Sequence, residues 1–138
     1  MNWYKKAQIK YPNQHEGSTV FFTDGLRVLL LKRSSETYNG MWCLPGGHAE
    51  SGESDRETAE REVVEEIGTI MGYNYNSHTR NGWATFFYKV DKPFDCKLNQ
   101  EHSKYVWADL DEFKNYDLVP HLKRHAQKYY RMAKKQPY

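Results

Sequence analysis

The chain has 138 residues, a length that fits one domain with short tails and not a linker plus a second domain. Apolar residues make up 38% and charged residues 28%, and 11 Tyr, 6 Phe and 4 Trp supply enough ring area for a core, which excludes disorder throughout. The net charge of +2 points by itself to neither nucleic acid nor membrane, but it is unevenly placed: residues 46–69 carry −6 and the remainder +8.

No apolar run approaches the roughly 18 residues of a membrane span, and residues 1–10 lack the apolar stretch of a signal peptide. A soluble, cytoplasmic protein is expected, without a membrane partner. Cys43 and Cys96 stand far apart, in no metal or redox spacing, and read as free thiols of a reducing compartment.

In chain order, residues 18–23 and 26–32 are β-rich runs separated by Asp24-Gly25, a pairing that tolerates positive φ, so a hairpin is predicted. Residues 33–40 are polar with turn formers, and Pro45-Gly46-Gly47 predicts a loop. Residues 54–67 read as a helix: Ser54 and Glu57 form a capping box, and Gly68 stands at the C-terminal stop. Ala59, Val63 and Ile67 give that helix one apolar stripe, which must face a core.

Residues 73–78 and 83–90 are strand-like around an Asn81-Gly82 turn, and residues 105–107 form a shorter strand candidate. A last helix, about residues 120–133, sets Leu122, Ala126, Tyr129 and Ala133 on one side and basic residues around it; it reads as an outer layer with a solvated basic face. This order predicts an α/β fold, a mixed sheet sandwiched between helices.

The acidic helix carries the chemistry. With Val63 at 0°, Glu66 lies near −60°, Glu62 near −100° and Glu65 near −160°, so three carboxylates share an arc of roughly 100° beside the apolar stripe. Like charges so placed cost about 0.2 to 0.5 kcal/mol per pair when exposed, and more when desolvated. A hard divalent cation, Mg²⁺ or Mn²⁺, removes the conflict, and such an ion also assists attack on a phosphoanhydride. On the helix alone, a solvated acidic face accounts for the same residues.

The surrounding spacing is more specific. Gly47, five residues, Glu53, seven residues, then Arg61-Glu62-Val63-Val64-Glu65-Glu66-Ile67-Gly68 resembles the Nudix box, departing only at the final apolar position, where Thr69 stands before Ile70. Leu44-Pro45-Gly46 is also similar to the usual approach to that box. The resemblance implies a single Nudix domain over residues 1–138, with a core of about 18–113 and the closing helix at 120–133. It further implies an α/β/α sandwich and a metal-dependent pyrophosphohydrolase that cleaves the diphosphate linkage of a nucleoside diphosphate derivative.

By the same resemblance Glu62, Glu65 and Glu66, with the carbonyl of Gly46, would hold Mg²⁺, or Mn²⁺ in its place. Glu53 would pair with Arg61 and orient the metal-binding glutamates, and Glu101 would be an extra ligand or base; Glu62, Glu65, Arg61, Glu53 and Glu101 form the implied catalytic set. His48 and His102 have acid-base capacity but read as ordinary loop histidines. Arg33 is a candidate for phosphate, and Tyr38, Trp83 and Tyr88 for stacking on a base, with plain packing the other reading of each.

Family marks downstream of the box narrow the substrate little. The proline associated with ADP-ribose cleavage is absent near Ala84-Thr85, and Tyr88 falls one place beyond the tyrosine of dinucleoside polyphosphate enzymes. A (d)NTP, a dinucleoside polyphosphate or a nucleotide sugar all fit. The partner implied is therefore a small nucleotide, with homodimerisation common among relatives and nucleic acid not expected. The alternatives are a noncatalytic nucleotide-binding module, which would tend to lose box carboxylates, and an RNA 5′-end pyrophosphohydrolase.

Overall fold

Strands β1 (Gly17–Thr23), β2 (Arg27–Arg33) and β6 (Trp83–Lys89) each hold a continuous apolar run, the pattern of strands covered on both faces. The computed structural model describes residues 15–72 and 75–135. Its remaining elements are β3 (Trp42–Cys43), β4 (Gly46–His48), α1 (Asp55–Ile67), β5 (Tyr75–Arg80), β7 (His102–Asp109), a 3-10 turn at Phe113–Asn115 and α2 (Pro120–Lys135).

Side chains alternate across the sheet and so sort into two cores. Phe21, Val28, Leu30 and Phe87 point toward α2 and pack with Leu122, Ala126, Tyr129 and Phe113. Val20, Phe22, Leu29, Leu31 and Phe86 point the other way, toward Ala59, Val63 and Ile67 of α1. Phe21 lies 5.3 Å from the Phe87 ring and meets Phe113 edge-on at 5.9 Å, so it joins sheet, 3-10 turn and helix layer. The result is the expected α/β mixed sheet of seven strands between two helices.

The strand pairing corrects the sequence reading in three places. The predicted hairpin of β1 and β2 closes only at its tip, Thr23↔Val28. The tip is a turn in which Asp24 Oδ1 accepts the amides of Leu26 (2.9 Å) and Arg27 (2.7 Å). Beyond it the strands diverge, because each has a longer partner elsewhere: β1 runs parallel to β6 from Gly17↔Trp83 to Thr23↔Lys89, and β2 runs antiparallel to β7 from Arg27↔Asp109 to Arg33↔His102.

The opening of this V is filled by residues 42–48, where a loop was predicted over Pro45-Gly46-Gly47: β3 pairs with β2, and β4 pairs with β1 through Thr19↔Gly46 and Gly17↔His48. Finally, β7 extends well beyond residues 105–107; as an edge strand it carries exposed Ser103 and Lys104, which hide its extent from a hydrophobic-pattern reading. The predicted beginning of β5 at residues 73–74 lies outside the described residues.

Among the described residues no helix is long and apolar enough to cross a membrane. Phe21 is fully buried and Leu26 is 67% exposed, so the two should respond differently to truncation. Urea unfolding of Phe21→Ala should show a loss of about 3 to 5 kcal/mol, whereas Leu26→Ala should stay within about 0.5 kcal/mol of the parent.

Candidate active site

Local sequence builds α1 as expected. The Ser54 hydroxyl accepts the Glu57 amide at 3.1 Å, the Glu57 carboxylate accepts the Ser54 amide at 2.9 Å, and Gly68 closes the helix in the left-handed region at φ 69°. The Ser18 hydroxyl donates to the Asp55 carbonyl at 2.7 Å, fixing the helix start to β1. Arg56 donates to the Met71 and Gly72 carbonyls, both at 2.8 Å, and ties the helix to the chain beyond it. Past Gly68, where Thr69 departs from the box, exposed Ile70 leaves the packing to buried Met71.

The apolar stripe of Ala59, Val63 and Ile67 is buried as predicted, and Glu66 is buried with it at 4% exposure. Its Oε1 accepts the Gly46 amide at 2.8 Å, so β4 and α1 meet at a carboxylate. Burial pushes the Glu66 carboxyl up to about 9; the Gly46 amide opposes this, and the neighbouring charges of Glu62 and Glu101 add to it. The Glu62 carboxyl is likewise raised by burial, against the pull of Arg61.

Glu62 lies directly over the backbone of Gly47, where a Cβ would come within 2.8 Å of all three of its carboxyl atoms. Gly47 is therefore a close-approach glycine. Gly46 is constrained differently: its φ is +147° and a Cβ would lie 2.2 Å from the Ser18 carbonyl oxygen.

Arg61 gathers the remaining acids. It meets Glu53 and Glu62 at 2.7 Å, Glu65 at 3.3 Å and Glu50 at 3.6 Å, and donates to the His48 carbonyl at 2.9 Å. The Arg61 guanidinium and the Glu50 amide hold the Glu53 carboxyl down at about 2. The predicted Glu53–Arg61 pair is thus formed.

Of the predicted ligands, Glu62, Glu66 and Gly46 are brought together, while Glu65 is half-exposed on Arg61. Glu101 is exposed just before β7, near enough for its charge to act on both Glu62 and Glu66. Among the described residues no three His, Cys, Asp or Glu side chains already form a closed metal cage.

On the other side of Gly46 and Gly47 opens a cleft of about 610 Å³, bounded by β4, the β5–β6 turn and α2. Arg33, Tyr38 and Trp83 line it, as does His48. Tyr88 does not: it packs edge-on against Phe22 in the α1-side core and accepts the Gly72 amide at 3.1 Å, because its place in β6 points it to that face. Its predicted stacking on a base is corrected accordingly.

His102 is a buried strand residue and not a loop histidine; its Nε2 lies 3.6 Å from Cys43 Sγ. Burial and the charge of Arg33 hold its pKa below the ordinary value, with Glu101 opposing.

The sequence reading missed the basic wall of the cleft: His78 and Arg80 from β5, and His121, Arg124, His125 and Lys128 from α2. The available signal was the helical spacing of His121, His125 and Lys128, which places them on one face beside Leu122 and Tyr129. The face read as solvated therefore borders the cleft.

The NUDIX domain family model matches residues 13–132. The chain is 30% identical over 110 residues to the nucleoside triphosphatase NudI of Klebsiella pneumoniae (strain 342), an alignment covering 65% of this chain and 78% of that protein. It is 33% identical over 100 residues to the asymmetrical bis(5′-nucleosyl)-tetraphosphatase of Sus scrofa, covering 63% of this chain and 67% of the relative. In fold it is similar to the Nudix hydrolase RenU of M. smegmatis, with a TM-score of 0.74 at 20% identity over 91% of this chain and 89% of the other. It is also similar to a C. elegans Ap4A hydrolase, with a TM-score of 0.67 at 20% identity over 85% and 97% of the two chains.

The two glycines should separate when each is changed to alanine. In Gly47→Ala the far end of the Glu62 side chain can yield, so thermal unfolding should stay within a few degrees of the parent, about the shift of a sub-kcal/mol change, while activity falls. In Gly46→Ala the obstacle is the Ser18 backbone, and the melting temperature itself should drop.

Both cysteines are free, with thiols pushed up to about 12: burial is the main cause for each, aided by the Glu66 charge at Cys43 and the Asp95 charge at Cys96. Little thiolate therefore exists at pH near 8. Mass spectrometry after iodoacetamide treatment at that pH should find the native protein almost unlabelled and the urea-unfolded chain labelled at both positions.

Proposed function

The chain belongs to the NUDIX domain family and is a nucleotide pyrophosphohydrolase, and from that premise we propose that it hydrolyses the diphosphate linkage of a free nucleoside polyphosphate with the help of Mg²⁺ or Mn²⁺. The observation that carries this reading is the juxtaposition of Glu62 and Glu66, held against Gly46 and Gly47, with a cleft of nucleotide size on the far side of those glycines.

The donor set fits a hard divalent cation. Glu62 and Glu66 present carboxyl oxygens one helical turn apart, and burial, the main cause for both, raises the two carboxyl groups above their ordinary range, a cost that a bound divalent cation would offset. Glu62 and Glu66 would hold the ion, with the Gly46 carbonyl and Glu65 completing its oxygen donors. The chemistry a divalent cation supplies there is neutralisation of the charge that develops on the phosphate oxygens.

The chain's own residues do the rest. Arg61 restrains Glu62 and Glu65 through the buttress of Glu53, so the carboxylates are in place before substrate arrives. Glu65 and Glu101, both exposed, are the groups placed to take the proton of the attacking water. The water oxygen bonds to one phosphorus, the bridging P–O bond breaks, and its electron pair leaves with the departing phosphate. In the cleft, Arg33 contacts phosphate, and Tyr38 and Trp83 supply ring faces for the base.

The named relatives act on a nucleoside triphosphate and a dinucleoside tetraphosphate, which favours a nucleoside polyphosphate over a nucleotide sugar. The presence of Glu62, Glu65 and Glu66 together favours an enzyme over a binding module. Free thiols at Cys43 and Cys96 fit a reducing cytoplasm.

The test is hydrolysis of a nucleotide panel with and without Mg²⁺. Glu62→Gln and Glu66→Gln should each lower kcat/KM by about 10² or more, the equivalent of losing a few kcal/mol of charge stabilisation. Unchanged turnover in Glu66→Gln would remove the metal role. Of Glu65→Gln and Glu101→Gln, the one with the larger loss in kcat at saturating Mg²⁺ identifies the base.

A further inference from the structure

We propose that the basic wall of the cleft is a phosphate subsite, in which Arg80, Arg124 and Lys128, with His78, His121 and His125 among them, hold a phosphoryl group other than the pair being cleaved. The substrate is then a nucleotide carrying phosphate beyond its scissile linkage. This rests on the reading above for the position of that linkage, at the Gly46–Gly47 side of the cleft.

The first ground is charge that has no counterion. Arg27, Arg56 and Arg61 all meet carboxylates, but among the described residues no carboxylate lies within ion-pair distance of Arg80, Arg124 or Lys128. All three line the cleft, where Glu16 is the one acidic residue among the described lining side chains. Cations that have other surface open to them gain nothing by converging on a partly enclosed space. A polyanion there turns the repulsion into charge-assisted hydrogen bonds.

The second ground is the arrangement of donors. Lys128 Nζ lies 3.0 Å from His78 Nε2, an amine donating to a neutral imidazole, and so bridges β5 to α2. The His121 and His125 rings lie 4.7 Å apart, one turn from each other along the same helix face. Burial holds His78, His121 and His125 below the ordinary histidine range, aided by Lys128 and Arg80 at His78, by Arg124 and Arg80 at His121, and by His121 and then the three cations at His125.

The third ground is independent of charge. Leu44, Val119, Leu122 and Tyr129 supply an apolar floor between the two polar walls, suited to a base or sugar face.

The test compares the parent with the double variant Arg124→Gln/Lys128→Gln. A second double variant, Lys123→Gln/Lys134→Gln, makes the same charge change on the same helix at positions outside the cleft. The first measurement is calorimetric titration with tripolyphosphate in the absence of divalent metal. Binding should weaken about tenfold or more in the cleft variant and remain unchanged in the control, in line with the loss of charge-assisted hydrogen bonds.

The second measurement is steady-state kinetics with Mg²⁺ on a nucleoside diphosphate, a nucleoside triphosphate, a dinucleoside tetraphosphate and a 3′-phosphorylated nucleoside diphosphate. The cleft variant should raise KM for the substrates that carry extra phosphate and leave the plain diphosphate unaffected. Which of the extended substrates responds most tells whether the extra group is on the chain or on the sugar.

Tripolyphosphate affinity unaltered by the cleft variant would overturn the proposal, as would an equal loss across all four substrates. Preference for a 5′-triphosphorylated oligonucleotide over the free nucleotide, abolished by the cleft variant, would overturn it in favour of an RNA surface. The two readings can fail separately: tripolyphosphate binding lost with Arg124 and Lys128, in a protein that hydrolyses nothing, keeps the subsite and removes the hydrolase assignment of the panel.

Discussion

The contact on which the rest of this molecule depends is the hydrogen bond from the Gly46 amide to the buried carboxylate of Glu66. A carboxyl group placed beneath a sheet is costly, and one amide donor offsets only part of that cost, so burial still holds the Glu66 carboxyl well above its ordinary range. The position is tolerable because β4 opens with two glycines, Gly46 and Gly47, which let α1 approach until Glu62 also rests on the backbone. Stability is sacrificed locally to set two carboxylates side by side. The capped ends of α1 and the anchoring by Ser18 and Arg56 are what keep the helix from retreating.

The same constraint explains the opened hairpin. If β1 and β2 had paired along their length, nothing could enter between them, and the glycine strand would have no backbone to pair with. Their divergence after Thr23↔Val28 creates the gap that β3 and β4 fill. It is the long parallel pairing of β1 with β6, buried on both faces, that holds β1 away from β2. The core aromatics Phe21, Phe87 and Tyr129 then support both this pairing and the helix that bounds the cleft.

Seen across the glycine strand, charge is segregated. Carboxylates of α1 crowd one side, gathered by Arg61, and Arg80, Arg124 and Lys128 with the imidazoles of His78, His121 and His125 line the cleft on the other. A phosphorylated ligand with a divalent cation is the chemical complement of such an arrangement: the cation answers the first group and the phosphates answer the second. The acidic block recognised in composition thus lies across β4 from a basic wall of the cleft.

Much of this could be read from the amino acids alone. Ser54, Glu57 and Gly68 specify where α1 begins and ends, its apolar stripe follows from helical geometry, and the β-rich runs announce strands. These are local properties, set by residues a few positions apart. What only the tertiary structure decided is which strands pair and which face each side chain takes. It made Gly46–His48 a strand where a loop was read, turned Tyr88 away from the cleft, buried His102, and brought the basic face of α2 against Arg80 and His78. Those outcomes depend on contacts between segments remote in the chain, whose energies no local pattern encodes.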